Sequence, residues 1–389
     1  MRILILHNRY QVSGGEDAAV AAEHKLLMAR GHEVTLIEAD NDAILGTMVK
    51  VRTALATPYN PARRRWIARE VRRAGAQIVH VHNVFPRLSP SVLGGAADAG
   101  AGVVQTLHNY RTICANGLLL RNGVVCEACL GRIGWQAIRH GCYRGSVAGS
   151  IAVVAMQQAA RWMQAWDRPG RRLIALTEFA RDKLVSGGLP AGRIVVKPNF
   201  IDTDGQVAAQ TERRGVLFVG RLSPEKGVDT LIAAARLLPD IGFTVVGGGP
   251  DEARLRGAAP TNMVFTGALP NAAARTLMAK ASALVMPSIW YEGFPMTMLE
   301  AFSAGTPVIA ARIGSLPEIV AEGVTGLLFT PGEPSSLATA IGRMLCDPPA
   351  MGRMGEAGRD RALTLYGPSA NATQLEAIYA AVLGELAGG

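Results

Sequence analysis

Residues 216–227 read Val-Leu-Phe-Val-Gly-Arg-Leu-Ser-Pro-Glu-Lys-Gly, an apolar run of four residues followed by a polar loop. Short apolar runs without alternation are typical of strands that are buried on both faces of a parallel sheet. Further runs of this kind follow, separated by helix-like segments: Phe243–Val246, Met263–Thr266, Ala283–Pro287, Pro307–Ala310 and Gly326–Phe329. This alternation predicts a parallel sheet covered by helices on both faces.

The N-terminal half repeats the pattern, with strand-like runs at Ile3–Leu6, Val34–Ile37, Ile78–Val81, Val103–Leu107 and Leu173–Leu176. Two such series predict an α/β protein of two doubly wound, Rossmann-like domains. We place these domains at residues 1–200 and 205–365, joined within the polar stretch Asn199–Glu212, and expect a last helix at about 370–389 to pack back on the first domain. Since open parallel sheets bind ligands beyond the carboxyl ends of their strands, we expect the site in a cleft where the two domains face each other.

Composition agrees with a folded protein of two domains. The chain has 389 residues, of which 49% are hydrophobic and 18% charged, which excludes a disordered chain. No apolar run is long enough to span a membrane, and the N-terminus does not resemble a signal peptide. The five cysteines fit a reducing compartment, so we expect a cytoplasmic protein.

The net charge of +9 comes from an excess of Lys and Arg in the first 200 residues, whereas the rest of the chain is net acidic. A basic N-terminal half favours an anionic partner, namely phospholipid, nucleic acid or a phosphorylated acceptor. The alternative is a solvated basic surface without a partner. No nucleic-acid-binding motif accompanies the charge, so we expect no nucleic-acid partner.

The loop after the strand at 216–219 has two cations, Arg221 and Lys226, five residues apart. Pro224 is a typical first residue of a helix, which would direct backbone N–H groups outward. Cations beside a helix N-terminus suit a diphosphate ligand. The alternative is a pair of ordinary loop cations. A triple-glycine turn follows the run Phe243–Val246, and glycines allow close approach of a backbone to a ligand.

The segment Glu292-Gly-Phe-Pro-Met-Thr-Met-Leu-Glu300 follows another predicted strand. Pro295 is expected to open a helix, with Glu292 on the preceding loop and Glu300 inside the helix. Backbone amides at a helix N-terminus favour an anion, and the two carboxylates can accept hydrogen bonds from sugar and ribose hydroxyls. The alternative is one helix-capping and one surface glutamate.

This segment resembles the E-x7-E motif of glycosyltransferase family 4, whose members are retaining enzymes of the GT-B fold. The surrounding residues match the same family in the same order, as do the Arg221–Gly227 loop and the triple-glycine turn. The match covers residues 213–345. The further matching segments are Pro287-Ser288, the residues from Glu300 to Ile309, Gly314-Ser-Leu-Pro-Glu318-Ile, and Gly323-Val-Thr-Gly326.

The resemblance implies roles for the residues that match. Arg221 and Lys226 would hold the donor diphosphate. Glu292 would contact the transferred sugar, with help from the backbone amides of Gly293 and Phe294.

The nucleotide would be bound by the residues around Glu300. The resemblance implies that Glu300 binds the ribose, and that Gly267, Ala268 and Leu269 lie against the base. It also implies that no catalytic metal or other cofactor is required, because the cations and the helix dipole stabilise the leaving diphosphate.

Two features of the N-terminal half have positions that match the family. Gly14 and Gly15 form a glycine pair that can offer amides to a phosphate or acceptor group, although the acidic residues after them can simply favour a helix N-terminus. His108 ends a predicted strand, where a lone histidine is usually structural. In the family a histidine at this place lies against the donor sugar. Asp17, Glu127 and Glu178 are candidate nucleophiles only by composition.

Two basic segments of this half, residues 61–73 and 161–172, contain aromatic and aliphatic residues among their arginines. A helix of this kind can lie on an anionic bilayer. The alternative is a pair of amphipathic helices whose apolar residues pack inward. The apolar residues are Trp66, Ile67 and Val71 in the first segment and Trp162 and Trp166 in the second.

Four cysteines in the region after His108 leave their chemistry open. Their spacing is C-x11-C-x2-C-x12-C, and structural zinc, packed thiols and a disulfide are alternatives. These cysteines are Cys114, Cys126, Cys129 and Cys142.

The sequence thus predicts a retaining, metal-independent hexosyltransferase. We expect a GDP- or UDP-hexose donor, with GDP-mannose favoured, and a lipid-linked or other saccharide acceptor in polysaccharide or glycoconjugate biosynthesis. The basic half favours a peripheral position on the inner face of the cytoplasmic membrane. The alternative function is a nucleotide-sugar epimerase of the same fold.

Overall fold

Both series of predicted strands form parallel six-stranded sheets in the computed structural model, which describes residues 1–9, 14–40, 46–201 and 213–388. The chain divides into two units. The first comprises residues 1–119, 127–198 and 371–389, and the second comprises residues 120–126 and 199–370. Each unit is an α/β structure, and the pair corresponds to the two Rossmann-like halves of the GT-B fold.

The sheet of the first unit has the strand order β2-β1-β3-β4-β7-β8, with all neighbours parallel. Its strands are β1 (Arg2–Arg9), β2 (Glu33–Asp40), β3 (Ile78–Val81), β4 (Gly102–Leu107), β7 (Arg171–Ala175) and β8 (Ile194–Val196). Its helices are α1 (Gly15–Ala29), α2 (Thr47–Ala56), α3 (Pro61–Ala74), α4 (Ser91–Asp98), α5 (Trp135–Arg139), α6 (Val147–Trp162) and α7 (Glu178–Ser186). A short antiparallel hairpin follows β4 and precedes α5 in the sequence but is assigned to the second unit, with strands β5 (Leu120–Arg121) and β6 (Val124–Val125).

The core of this unit explains why the strands are continuous apolar runs. Residues 3–6 of β1 are at most 1% exposed, and all of β3 and β4 is buried. The C-terminal helix α15 (Pro368–Ala387) contributes to the same core through Leu375, Tyr379 and Val382.

The sheet of the second unit has the order β11-β10-β9-β12-β13-β14, again all parallel. Its strands are β9 (Val216–Val219), β10 (Phe243–Val246), β11 (Met263–Gly267), β12 (Ala283–Met286), β13 (Val308–Ala311) and β14 (Gly326–Phe329). Its helices are α8 (Val228–Arg236), α9 (Glu252–Ala258), α10 (Asn271–Lys280), α11 (Met296–Ser303), α12 (Leu316–Ile319), α13 (Pro334–Cys346) and α14 (Pro348–Leu365). Since β9 lies between β10 and β12, the loops after these three strands are neighbours.

The helices within residues 1–9, 14–40, 46–201 and 213–388 differ from membrane spans in their length or their hydropathy. No helix there combines the length and the hydropathy that a crossing requires.

Candidate active site

The loop after β9 lies close to the end of β12. Gly227 adopts the left-handed conformation (φ 67°), and a Cβ atom at this position would lie only 2.0 Å from the carbonyl oxygen of Pro287. The turn Pro224–Lys226 before it is held by the hydroxyl of Ser223, which donates to Glu225 over 2.6 Å. Glycine is therefore required for this loop to approach the next strand. Arg221, at the start of the loop, is exposed.

Lys226 and Glu292 form an ion pair in this unit. The Nζ atom of Lys226 donates to Oε1 of Glu292 over 2.7 Å, and the hydroxyl of Ser288 donates to the same oxygen over 2.6 Å. The hydroxyl of Ser315 donates to the backbone carbonyl of Glu292 over 2.9 Å. Glu292 is only 4% exposed, whereas the lysine side chain remains 21% exposed and lies over the ring of Trp290. The pair is thus fixed on its carboxylate side and accessible on its ammonium side.

Helix α11 begins at Met296, directly after Pro295, as the sequence predicted. Glu292 lies on the preceding loop, and Glu300 lies inside the helix. Gly293 and Phe294 precede the first turn, where the helix dipole favours an anion. The ring of Phe294 is buried and packs edge-on against Tyr366, which fixes the approach to the helix.

Glu300 has a partner that the sequence did not suggest. The side-chain amide of Asn271, at the first residue of α10, donates to Glu300 over 2.6 Å. Burial raises the pKa of the Glu300 carboxyl, and this hydrogen bond opposes the rise. The backbone of Gly267, Ala268 and Leu269 lies between β11 and Asn271, and Ala268 is exposed. The hydrogen bond of Asn271 thus joins the β11–α10 connection, where residues 267–269 lie, to Glu300 on α11.

The triple-glycine turn has a structural role that the sequence left open. Gly247 has a φ of 141°, and a Cβ atom there would lie 1.8 Å from the carbonyl oxygen of Gly220. The backbone N–H of Leu222 donates to the carbonyl of Gly248 over 2.9 Å. The glycines thus allow the loops after β9 and β10 to pack directly against each other.

In the first unit, the glycine pair begins α1. Gly14 is the N-cap, and its backbone N–H donates to Oδ2 of Asp17 over 2.9 Å. The other oxygen of Asp17 lies 2.7 Å from Nε2 of the buried His7. Asp17 therefore caps the helix and pairs with a histidine, which supports the structural interpretation of the acidic residues here. Residues 11–13 of the predicted loop lie outside the described residues.

His108 follows β4 and is partly exposed. Its Nε2 atom lies 3.0 Å from Nδ1 of His82, and the two rings are stacked with their centroids 5.3 Å apart. Burial and, next, the neighbouring His82 lower the pKa of His108 well below its ordinary value. His108 is therefore a neutral imidazole at neutral pH.

Behind His82 lies a buried polar cluster that sequence analysis missed. Glu23 on α1 is within 3.4 Å of His80, His82 and Lys197, and all four side chains are at most 6% exposed. Side chains alternate between the two faces of a strand, so His80 and His82 lie on the same face. This was the one feature of the sequence that indicated the cluster. We call Glu23, His80, His82 and Lys197 the buried cluster.

The other candidates from composition have ordinary partners. Glu127 pairs with Lys183 over 2.6 Å, and the exposed Glu178 pairs with Arg181 over 2.8 Å. Neither pair includes His108.

None of the cysteines forms a disulfide. The thiol of Cys114 donates to Asn116 over 3.0 Å. In the described part of the chain, the one group of ligand atoms close enough to hold a metal ion comes from Glu23, His80 and His82, and the cysteines do not form such a group.

The basic segment 61–73 forms α3, but its aliphatic residues face inward. Ile67 is fully buried and Val71 is 2% exposed, and α3 packs against α4. The expectation that these residues contact a bilayer is therefore wrong, because they belong to the core. The exposed face of α3 has arginines at helical spacing: Arg65, Arg69, Arg72 and Arg73.

The second basic segment also differs from the expectation. Trp162, the last residue of α6, is 88% exposed, but Trp166 is buried and its indole N–H donates to Gln105 over 2.9 Å. Arg171 is buried on β7, and Arg172 is paired with Glu385. Only part of this segment is thus available to a partner.

Comparisons with curated proteins give relatives of moderate similarity. The chain is 32% identical over 215 residues to a GDP-mannose-dependent alpha-(1-6)-phosphatidylinositol monomannoside mannosyltransferase of Mycolicibacterium smegmatis, covering 48% of this chain and 56% of the relative. It is 32% identical over 261 residues to a glycogen synthase of Mycobacterium tuberculosis, covering 63% of this chain and 62% of the relative. The chain spans about half to three fifths of the length of the curated relatives it matches.

Solved structures share the fold over nearly the full chain. A sucrose-phosphate synthase from Thermosynechococcus elongatus aligns with a TM-score of 0.71 and 19% identity, covering 99% of this chain and 100% of the other. Anabaena Alr3699/HepE in complex with UDP aligns with a TM-score of 0.69 and 18% identity, covering 98% and 100%.

Two family models match consecutive parts of the chain. The model for Glycosyltransferase Family 4 matches residues 14–205, and the model for Glycosyl transferases group 1 matches residues 200–361. Both the motifs and the two sheets agree with these matches. The chain therefore belongs to glycosyltransferase family 4, within the group 1 glycosyl transferases.

Proposed function

We propose that this protein is a glycosyltransferase that moves a hexose from a nucleotide-sugar donor to a saccharide acceptor. The observation that carries the proposal is the pair of Lys226 and Glu292, with Ser288, at the carboxyl ends of β9 and β12. This arrangement holds an accessible cation and a fixed carboxylate beside the N-terminus of α11. Such a combination suits a sugar linked to a diphosphate.

In this proposal Lys226 and Arg221 bind the donor diphosphate. The ammonium of Lys226 exchanges its bond with Glu292 for a phosphate oxygen, and the α11 amides near Gly293 and Phe294 add favourable electrostatics. The negative charge that develops on the leaving diphosphate is then stabilised by groups already in place. We propose on this basis that transfer needs no divalent metal ion.

The remaining roles concern the sugar and the nucleoside. Glu292 accepts hydrogen bonds from hydroxyls of the transferred sugar, and Glu300 accepts them from the ribose. The backbone of residues 267–269 lies against the base. Gly15 contributes its backbone amide toward the acceptor side, since that of Gly14 donates to Asp17, and His108 contacts the donor sugar. We propose that transfer retains the anomeric configuration, for which the family assignment is the support, and no covalent sugar-enzyme intermediate is proposed.

A GDP- or UDP-hexose is the proposed donor. GDP-mannose is the first choice, supported by the similarity to a GDP-mannose-dependent mannosyltransferase. UDP-glucose is the second, since the HepE structures include UDP and UDP-glucose.

We also propose a lipid-linked acceptor used at the inner face of the cytoplasmic membrane, in surface polysaccharide or glycoconjugate synthesis. The arginines on the exposed face of α3 support an attraction to anionic lipid. Helix α2 supports apolar contact, because Met48 is 87%, Leu55 77% and Val51 54% exposed. A cationic face on α3 and exposed apolar side chains on the preceding helix are two features that suit a peripheral membrane surface.

The test is a thermal-shift titration with UDP, GDP, ADP and their sugar conjugates, followed by transfer assays. A ligand that binds only the folded state raises its apparent stability. A selective shift with one nucleotide and transfer of its sugar to a lipid-linked or soluble saccharide support the proposal. Donor turnover without any acceptor would indicate an epimerase instead, and no shift with any nucleotide would contradict both functions.

A further inference from the structure

His108 is connected to the buried cluster through His82. Nε2 of His108 lies 3.0 Å from Nδ1 of His82, and Nε2 of His82 lies 3.2 Å from Oε1 of Glu23. The side chains of His82 and Glu23 are 1% and 6% exposed. Water is therefore excluded from the contact between His82 and Glu23. The positions of the hydrogens on these side chains must be determined by the side chains themselves.

Glu23 is surrounded by groups that favour its charged form. Its Oε2 atom accepts from Lys197 over 3.4 Å, and Lys197 also donates to Asn371 over 3.0 Å. Burial alone raises the pKa of Glu23, but His80, Lys197 and His82 together lower it well below its ordinary value. Glu23 is thus a carboxylate, which accepts hydrogen bonds and donates none.

The negative charge of Glu23 determines which ring nitrogen carries the hydrogen in His82 and, in turn, in His108. Oε1 of the negatively charged Glu23 lies 3.2 Å from Nε2 of His82, and among the described residues this nitrogen has no other hydrogen-bond partner, so the carboxylate charge favours the hydrogen on this nitrogen. His82 is neutral, because burial lowers its pKa to about 4. Its Nδ1 atom therefore presents a lone pair, and Nε2 of His108 donates to it.

We propose that Glu23 and Lys197, acting through His82, hold His108 in its Nε2–H tautomer, so that Nδ1 of His108 accepts a hydrogen bond from a hydroxyl of the bound sugar. Glu23, Lys197 and His82 are positioning residues in this scheme. The identity of the ligand rests on the proposed function, whereas the tautomer does not. Among the described residues, none makes a hydrogen bond to Nδ1 of His108, so this atom is available.

The groups that face His82 and Glu23 come from several elements. His80 on β3 stacks on His82 and shares Glu23 with it, while its Nδ1 and Nε2 atoms lie 2.7 and 2.8 Å from hydroxyls. His7 on β1 lies edge-on to His82 with centroids 6.4 Å apart, and it pairs with Asp17. The hydroxyl that faces His80 Nδ1 belongs to Tyr379 on α15, and burial raises the pKa of that phenol well above its ordinary value, so it stays protonated.

An ammonium, rather than a metal ion, balances Glu23 in this arrangement. Lys197 is fully buried next to the carboxylate, and a divalent cation on the ligand atoms of Glu23, His80 and His82 would lie beside it and be repelled. The lysine is therefore the residue on which the proton arrangement depends.

Removal of the Lys197 ammonium is expected to reverse the direction of the hydrogen bonds that connect Glu23, His82 and His108. In Lys197→Met the desolvated Glu23 becomes protonated as the pH falls, and its hydroxyl then donates to Nε2 of His82. His82 shifts its hydrogen to Nδ1 and donates to Nε2 of His108, which leaves the hydrogen of His108 on Nδ1. The same sugar hydroxyl then meets a donor in place of an acceptor.

Long-range ¹⁵N–¹H NMR on the full chain with ¹⁵N-labelled histidine reads the tautomers directly. We expect His108 of the wild type to remain in the Nε2–H form between about pH 6 and pH 8. In Lys197→Met we expect it to move toward the Nδ1–H form as the pH falls. His24→Gln, on the outer part of α1, is the matched control and should leave His108 unchanged. The His108→Asn variant assigns the resonances.

Three results would overturn the inference. These are an Nδ1–H or charged His108 in the wild type, a His108 that ignores Lys197→Met in folded protein, and one equivalent of zinc in purified protein that is lost in Glu23→Gln. If Lys197→Met does not fold, the double variant Glu23→Gln/Lys197→Met removes both charges together. It should populate both tautomers of His108, and a single Nε2–H form there would equally contradict the scheme.

Activity separates this inference from the proposed function. With GDP-mannose or UDP-glucose as the probe, Lys197→Met is expected to lower kcat/KM about tenfold and to make it pH-dependent, and Lys197→Arg is expected to restore part of the loss. A wild type with the Nε2–H tautomer but no sugar transfer contradicts the proposed function. An active wild type with the opposite tautomer contradicts the inference alone.

Discussion

The Nζ atom of Lys226 lies 2.7 Å from the Oε1 atom of Glu292, although 66 residues separate them in the sequence. The sequence predicts separate roles for the two residues: Lys226 binds the donor diphosphate and Glu292 contacts the transferred sugar. Their contact means that the lysine is oriented by the carboxylate before any ligand binds. A diphosphate must therefore compete with Glu292 for the same ammonium.

Replacement of Lys226 by Met should weaken nucleoside-diphosphate binding. Loss of one charge-assisted hydrogen bond corresponds to about 1.5–3 kcal/mol, or about 10- to 100-fold in affinity. Isothermal titration with GDP and UDP measures this change. Arg254→Met removes an exposed cation of α9 that is paired with Asp229 over 2.6 Å, and this control should bind like the wild type. Equal losses of nucleotide affinity in both variants would show that the net charge of the protein, and not a specific contact of Lys226, determines binding.

Replacement of Glu300 by Gln should reduce nucleotide affinity without reducing stability at neutral pH. The pKa of Glu300 is raised by burial, so its contribution to stability is present below the unfolded-state pKa and is lost as the pH rises through the folded-state pKa. For ribose hydroxyls, in contrast, the ionised form is the better acceptor, because both of its oxygens accept and its hydrogen bonds are charge-assisted.

We therefore expect wild-type nucleotide affinity to fall as the pH drops through the raised pKa of Glu300, and Glu300→Gln to show a weaker and flatter dependence. Titrations with GDP and UDP at several pH values, with thermal melts alongside, check both parts. An unchanged pH profile in Glu300→Gln would exclude this carboxylate from the ribose site.

Glu385 on α15 should stabilise the first unit in a pH-dependent way. It accepts from Arg172, from Arg193 over 2.8 Å and from the backbone N–H of Gly170 over 3.0 Å, and hydrogen bonding to Arg172 is the main cause that lowers its pKa to about 2. A lowered pKa contributes stability above the unfolded-state value of about 4.3, and this is lost as the pH falls toward about 2.

For Glu385→Gln we expect a loss of about 1 kcal/mol in the free energy of unfolding at neutral pH, since the side chain is 29% exposed, and the loss should decrease in acid. Urea unfolding at neutral pH and near pH 3 measures both. Glu38→Gln, at a more exposed site 3.9 Å from Arg9, is the control and should change little. A deficit for Glu385→Gln that is independent of pH would contradict the assigned cause.

The membrane proposal predicts distinct effects of charge and of apolar contact. Replacement of Arg65, Arg69 and Arg72 by Gln should lower affinity for vesicles of phosphatidylcholine and phosphatidylserine by about fivefold per charge at low salt. Leu55→Asp, on α2, should weaken binding to these vesicles even at high salt, because screening acts on charges rather than on apolar contact. Co-sedimentation measures binding, and an unchanged triple variant would exclude α3 as the attracting face.

The sheets could be predicted because buried parallel strands are continuous apolar runs, as in Val216–Val219. The positions of Glu292 and Glu300 around the start of α11 could be predicted because proline marks a helix start. The contact between Lys226 and Glu292 could not, since it depends on which strand ends are neighbours in the sheet.

The buried cluster was missed for a similar reason. Glu23 lies on a helix and Lys197 follows a distant strand, and each alone is typical of a solvent-exposed charge. The inward orientation of Ile67 and Val71 was likewise not decided by spacing, because an amphipathic pattern does not state whether its apolar face meets a bilayer or a neighbouring helix.

Helix α15 brings Leu375, Tyr379 and Val382 into the core beside β1 and β3, so these strands pack against a helix that follows the whole second unit in the sequence. During translation the sheet of the first unit lacks the packing of α15 until the whole second unit has emerged from the ribosome. Contacts of such high sequence separation slow folding and leave apolar surface exposed meanwhile. The strands of the first unit are thus synthesised before the second unit, but the first unit is completed only after it.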